Sequence, residues 1–228
     1  QDIHLPNGDI YIKKHMDGVI FAGEVDIRVI EEFRKQSIPV VLVNNYLDMD
    51  GLVCISADHY GGAVQATEYL CKLGHCKIGL LSGRFSPQVS EARIEGFVKT
   101  LAKYDIPVDD RFIADIEPAL EDGEEIMTRM LREVDRPTAF FCTNDTIAAG
   151  AMKAVTRAGL RVPEDIAIVG FDDSYISRVV EPELTTVRID AAKMGCLAMQ
   201  TLFDLIAGMP VEKAHIQIPT ELIVRGTA

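Results

Sequence analysis

No apolar run in this 228-residue sequence reaches the roughly 18 residues that a membrane span requires. The opening Gln1-Asp2-Ile3-His4 lacks the basic and then greasy order of a secretory signal, and with no initiating Met the sequence reads as part of a longer protein. Cysteine is sparse: Cys54, Cys71, Cys76, Cys142 and Cys196 are odd in number and have no CxxC spacing. Mostly set within apolar stretches, they are expected to be reduced thiols filling small core positions in a cytoplasmic protein. Positive charge is in deficit, 23 basic against 35 acidic residues for a net −12, so the surface should repel phosphate backbones and this segment should not bind DNA by itself. Low-complexity linkers are also missing. With 48% hydrophobic residues the chain can bury one large core or two smaller ones that share a cleft, and any division into lobes must come from the chain crossing between them.

What is present is an alternation. Short runs rich in Val, Ile and Phe recur at Gly18 to Ala22, Pro39 to Val43, Ile78 to Ser82, Thr138 to Cys142 and Ile166 to Phe171, each of the kind that forms a buried parallel strand. Between them lie stripes of helical period: Ala63, Ala66, Leu70, Leu73; then Ile147, Ala151, Ala154, Ala158; later Met194, Leu197, Thr201, Leu205. Gly74, Gly159 and Gly208 follow these stripes as stop signals. Strand and helix at this spacing imply βαβ units, hence an α/β fold with parallel sheets covered on both faces.

In open α/β sheets ligands bind beyond the carboxyl ends of the strands, so the residues that follow each strand carry the functional signal. Val43 is followed by Asn44-Asn45, Cys142 by Thr143-Asn144-Asp145, and Phe171 by Asp172-Asp173. Carboxylates and carboxamides there suit the adjacent hydroxyls of a sugar or the edge of a base. Asp145 also sits where a helix starts, and capping that helix is the favoured reading for it. One acid of the Asp172-Asp173 pair can serve simply to organise the turn. Arg93 falls four residues after Val89 and four before Phe97, on one helical face, where a guanidinium needs acceptors from a ligand or from a carboxylate such as Asp172. A snorkelling Arg at the core edge is the plainer alternative. His75 after Gly74 reads as a helix C-cap.

Other chemistries lack their parts. His4, His15, His59, His75 and His215 show no metal-ligand spacing, and no His-Glu-x-x-His occurs. Ser56 and Ser82 lie outside any Gly-x-Ser-x-Gly elbow, Gly61-Gly62 is neither a dinucleotide fingerprint nor a P-loop, and no nucleophile is paired with a base. An enzyme is therefore not expected, and neither a cofactor nor a metal is called for.

Longer blocks are more specific. Leu160-Arg161-Val162-Pro163-Glu164-Asp165-Ile166-Ala167-Ile168-Val169-Gly170-Phe171-Asp172-Asp173, followed by Pro182-Glu183-Leu184-Thr185-Thr186-Val187, closely resembles the signature of the LacI/GalR family of bacterial transcription repressors. Asp17-Gly18-Val19-Ile20, Ile38-Pro39-Val40-Val41, Thr67-Glu68-Tyr69-Leu70 with Leu73-Gly74-His75, Arg93-Ile94-Glu95-Gly96-Phe97, Pro137 to Asp145 and Pro219 to Arg225 are similar to further blocks of that family, in order. The resemblance runs from about Tyr11 to the end.

It implies the type I fold of periplasmic sugar-binding proteins: two Rossmann-like lobes, three crossings and an effector in the cleft. The N-lobe would hold residues 1–57 and about 188–218, the C-lobe 58–187 and about 219–228. Arg93, Asn144 and Asp172 correspond to effector contacts, with Asn44 as a fourth and Ala57, Phe85, Val89 and Arg188 as further pocket positions. The implied partners are a small polar effector of the sugar class, a second copy in a homodimer, and operator DNA through an N-terminal helix-turn-helix. That reader and the first βαβ unit of the sensing domain are not recognisable in Gln1 to Ile10, so the N-lobe is expected to be incomplete. The rival from the same fold is an extracytoplasmic sugar-binding protein of a transporter, which should show a secretory signal and few free thiols.

Overall fold

A computed structural model describes residues 3–4, 10–11, 16–45, 47, 49, 51–211 and 214–228. The chain divides into two compact units, residues 1–57 with 190–218 and residues 58–189 with 219–228.

The larger unit is built on a six-stranded sheet. Its strands are β6 (Ile78–Gly83), β7 (Ile113–Ile116), β8 (Ala139–Cys142), β9 (Ala167–Asp172), β10 (Thr185–Arg188) and β12 (Glu221–Ile223), in the spatial order β12-β10-β9-β8-β6-β7. All neighbours are parallel except β12, which runs antiparallel to β10 at one edge. The helices are α2 (His59–Lys72), α3 (Pro87–Lys103), α4 (Leu120–Met130) and α5 (Asp145–Arg157). Strand alternation deals side chains to two cores. Phe140 and Cys142 of β8 join Ile147, Ala148 and Met127 under α4 and α5, while Ala139 and Phe141 join Ala66, Leu70 and Phe97 under α2 and α3. Burial on both faces is why these strands read as continuous apolar runs.

The smaller unit has a four-stranded parallel sheet, β11-β5-β4-β3, from β3 (Val19–Ala22), β4 (Val40–Val43), β5 (Val53–Ala57) and β11 (His215–Ile218). Helix α1 (Ile27–Lys35) sets Val29, Ile30 and Phe33 against Val40, Leu42 and Cys54. Val41 and Ile55, fully buried, alternate to the other face, and α6 (Ala191–Ile206) packs on β4, β5 and β3. A short antiparallel pair, β1 (Ile3–His4) with β2 (Ile10–Tyr11), stands apart from both sheets.

All five expected strands form. Strand β5 was not anticipated because Ser56 interrupts its apolar run, nor β10, whose Thr185 and Thr186 are completely buried with their hydroxyls hydrogen-bonded. Gly74, Gly159 and Gly208 each take positive φ and close a Schellman turn, as with Gly74 N–H donating to Cys71 O and His75 N–H to Leu70 O. Leu73, expected on the buried stripe, is instead the C-cap of α2 and 49% exposed. The cysteine expectation holds for Cys54, Cys71 and Cys142, whereas Cys76 and Cys196 are exposed; all five are free. His75 caps through its backbone only, its ring Nδ1 lying 2.8 Å from Thr138 Oγ1.

Helices α4 and α5 meet through glycine. A Cβ on Gly150 would lie 2.1 Å from Leu120 O, and one on Gly123 would lie 2.5 Å from Ile147 O, so the two backbones touch where a side chain would stand. Gly150→Ala is expected to destabilise the chain by about 2 kcal/mol or more, read as a lowered urea midpoint, because backbone cannot yield as a flexible side chain can.

Candidate functional site

The carboxyl ends of β6, β8 and β9 form one polar edge of the larger unit, and α3 delivers Arg93 to it. Three residues beyond Arg93, Gly96 lets α3 approach α2: a Cβ there would stand 2.7 Å from Tyr60 O. Close approach brings the start of α2 within reach of the guanidinium, which is the local reason for Arg and Gly at this spacing.

The Arg93 residue is 3% exposed and must satisfy a planar set of N–H donors. Its Nη2 meets Asp172 Oδ1 at 3.3 Å, its Nη1 donates to Thr143 O, and Nε and Nη2 lie 3.4 and 3.2 Å from His59 Nδ1. The guanidinium carbon sits 3.9 Å from the ring centroid of Phe171 and 4.9 Å from that of Phe85. Residues from four segments therefore converge on one cation. Their order in space is fixed further by Gly83 N–H donating to Thr143 Oγ1 at 2.7 Å.

Asp172 and Asp173 have left-handed backbone, φ 107° and 51°. Such conformations cost roughly 1–3 kcal/mol each and collect at functional sites. The two acids then diverge. Asp173, its side chain 2% exposed, accepts from Arg225 Nη2 at 2.6 Å, Arg188 Nε at 2.8 Å and Ser177 Oγ at 3.0 Å. Burial alone would raise its pKa, but these donors outweigh it and hold the carboxyl at about 2. Asp172 keeps a side chain 35% exposed with Oδ1 on Arg93, and here burial prevails over Arg93 and raises the pKa.

Asn144, 8% exposed, is the N-cap of α5: its Oδ1 accepts Ile147 N–H at 2.8 Å. Its Nδ2 makes no hydrogen bond among the described residues. The capping role expected of Asp145 thus belongs to its neighbour. Asp145 instead accepts from Thr186 Oγ1 at 2.5 Å and Ser174 N at 2.6 Å, tying α5 to β10 and to the turn after β9, and its burial lifts the pKa to about 6.

The structure gathers Arg93, Asp172 and Phe85, with Asn144 adjoining through Thr143 and Val89, 6% exposed, one turn before Arg93. Arg188 pairs with Asp173, and Glu221 lies 3.6 Å from it. Asn44 and Ala57 belong to the smaller unit, where Asn44, φ 50°, accepts Ala57 N–H at 3.2 Å through Oδ1; Ala57 is 1% exposed. Sequence reasoning missed His59, Phe171 and Thr143 as neighbours of Arg93. No local signal marks them, since they lie 34 to 78 positions away and meet only through the fold. Among the described residues no group of three or more His, Cys, Asp or Glu could hold a metal, and no helix is long and apolar enough to cross a membrane.

The profile of the periplasmic binding protein-like domain family matches residues 67–228. The Bacillus subtilis (strain 168) "Probable HTH-type transcriptional repressor ExuR" is 34% identical over 223 residues, 97% of this chain and 67% of that protein. The chain belongs to the LacI family. Among solved LacI-type structures, the transcriptional regulator CelR–cellobiose complex superposes with a TM-score of 0.86 at 26% identity, over 94% of this chain and 67% of that one. A LacI family transcriptional regulator from Enterococcus faecium with bound ribose gives 0.84 at 27%, over 92% and 79%. This LacI-family chain has the effector-domain architecture and spans about two thirds of the length of the curated repressors it matches. Those relatives are transcription repressors, which favours the regulator over the transporter reading.

Two measurements test the electrostatics. Asp145 holds a proton in the fold between its ordinary value of 3.8 and about 6, so the stability it contributes is full below 3.8 and lost as pH rises through about 6. Carboxyl ¹³C shifts should place its midpoint near 6, and a midpoint below about 4.5 contradicts this. Asp173→Asn removes the buried carboxylate that pairs with Arg225, whose side chain is 12% exposed, and is expected to cost about 3 kcal/mol in urea unfolding.

Proposed function

We propose that this chain is the sensing domain of a LacI-type transcription regulator and that it binds a small polyhydroxylated metabolite of the sugar class without altering it. The carrying observation is Asp172. One of its oxygens is tied to Arg93 while the side chain remains 35% exposed, leaving a desolvated, pre-aimed carboxylate to accept hydrogen bonds from ligand hydroxyls. Phe85, stacked near the Arg93 guanidinium, supplies an apolar face, and Asn144, next to the Thr143 that Arg93 contacts, supplies a donor in Nδ2. The cellobiose and ribose carried by the CelR and Enterococcus faecium structures favour the sugar class.

On this reading Arg93, Asp172 and Asn144 are the effector contacts, Phe85 and Val89 shape the pocket, and Arg188 acts through Asp173. Effector binding controls transcription if the ligand prefers one conformation of the complete regulator, since differential affinity is what shifts such an equilibrium. Operator contact belongs to a helix-turn-helix outside this sequence, the working form is a cytoplasmic homodimer, and no step of catalysis is assigned.

A thermal-shift panel of D-ribose, cellobiose, other pentoses and hexoses, sugar phosphates and nucleobases identifies the ligand, because binding raises apparent stability by mass action. Asp172→Ala is expected to weaken that ligand by about 2 kcal/mol or more, some thirtyfold in Kd by calorimetry. An affinity within about twofold of the parent, or a panel in which nucleobases alone bind, removes the proposal.

A further inference from the structure

The inner edge of the Arg93 guanidinium rests on an imidazole. His59, first residue of α2 and 2% exposed, presents Nδ1 to Arg93 Nε at 3.4 Å and to Nη2 at 3.2 Å. Arginine has no acceptor atom, so the imidazole nitrogen must accept, and the ring proton resides on Nε2. The same ring lies 6.0 Å from Phe171, whose face the guanidinium covers.

We infer that His59 is a positioning residue of the effector site: its Nδ1 lone pair fixes the rotation of the Arg93 guanidinium so that Nη2 faces Asp172. Burial, and then the charge of Arg93, hold His59 neutral with a pKa lowered to about 3, so the acceptor persists across the physiological range. Without that acceptor two N–H groups lose their partner in a buried place, and the planar cation gains by turning from Asp172. The groups facing Asp172 are Arg93 from α3 and Asp145 from the start of α5, while Asp173 turns to Arg225 and Arg188. His59 therefore reaches Asp172 through Arg93. Its bearing on effector affinity rests on the function proposed above, but the positioning itself can be read without any ligand.

The test is ¹⁵N and ¹³C NMR of the ligand-free full chain. His59 should remain the neutral Nε2–H tautomer from about pH 5 to 8, against an ordinary histidine midpoint of about 6.5. His59→Leu should raise the Asp172 carboxyl midpoint by about one pH unit, a tenfold change in its proton affinity, because Arg93 no longer offsets burial. His59→Asn, whose Oδ1 can accept, should restore the parent midpoint; a role in packing alone would change Tm and leave the midpoint in place. Titration of His59 near its ordinary value, or an unmoved Asp172 midpoint in a folded His59→Leu chain, overturns the inference. Should His59→Leu fail to fold, His59→Phe carries the same comparison. With D-ribose and cellobiose as probes, weakened binding in both Asp172→Asn and His59→Leu supports both levels. An Asp172→Asn chain that binds like the parent removes only the proposed function.

Discussion

A buried guanidinium is the constraint around which the larger unit is organised. Taking Arg93 out of water carries a large desolvation cost, and the fold offsets it with Asp172, Thr143 O, His59 and two aromatic faces. The partners come from four segments: the end of β9, which supplies both Asp172 and Phe171, the end of β8, the start of α2, and the loop after β6. Displacing any one of these elements would strand the cation. Gly96 belongs to the same constraint, because α3 can bring Arg93 to His59 only if its backbone lies close against α2.

The adjacent acids Asp172 and Asp173 show how environment separates chemically identical groups. Asp173 is saturated by Arg225, Arg188 and Ser177 and locks β9, β10 and the C-terminal segment together. Among the described residues Asp172 has one cationic partner, Arg93, and a partly open face. Left-handed backbone at both residues turns successive side chains to different sides of the strand end, one inward to the arginines and one to Arg93. A stretch that serves stability and one that serves recognition are thereby placed one residue apart.

Much of this was legible in the residues. Both-face burial wrote five strands as plain apolar runs, helix stripes ended on glycines that do take the left-handed conformation, and the ordered blocks carry the resemblance to the LacI family, to which the chain belongs. Arg93 stood out because a charge occupied an apolar helical face. Where reading by position failed, the cause was non-local. Asp145 looked like a cap, but Asn144 took that task and left Asp145 free to reach Thr186, 41 residues on. Arg188, a pocket position by resemblance, pairs with Asp173 just beyond the end of β9, a partner that no local signal announces.

The sequence by itself determined the fold class, the family and the polar residues at the strand ends, because periodicity and turn chemistry are local and survive in one dimension. Only the tertiary structure decided which partner each polar group takes. His59 carries no signal in the chain, being one histidine of five, and its role exists solely because α2 and α3 pack closely enough for an imidazole lone pair to meet a guanidinium edge. Hydrogen bonds act over about 3 Å, whereas the residues they join here lie tens of positions apart, so their pairing is settled by packing and by nothing that can be read along the sequence.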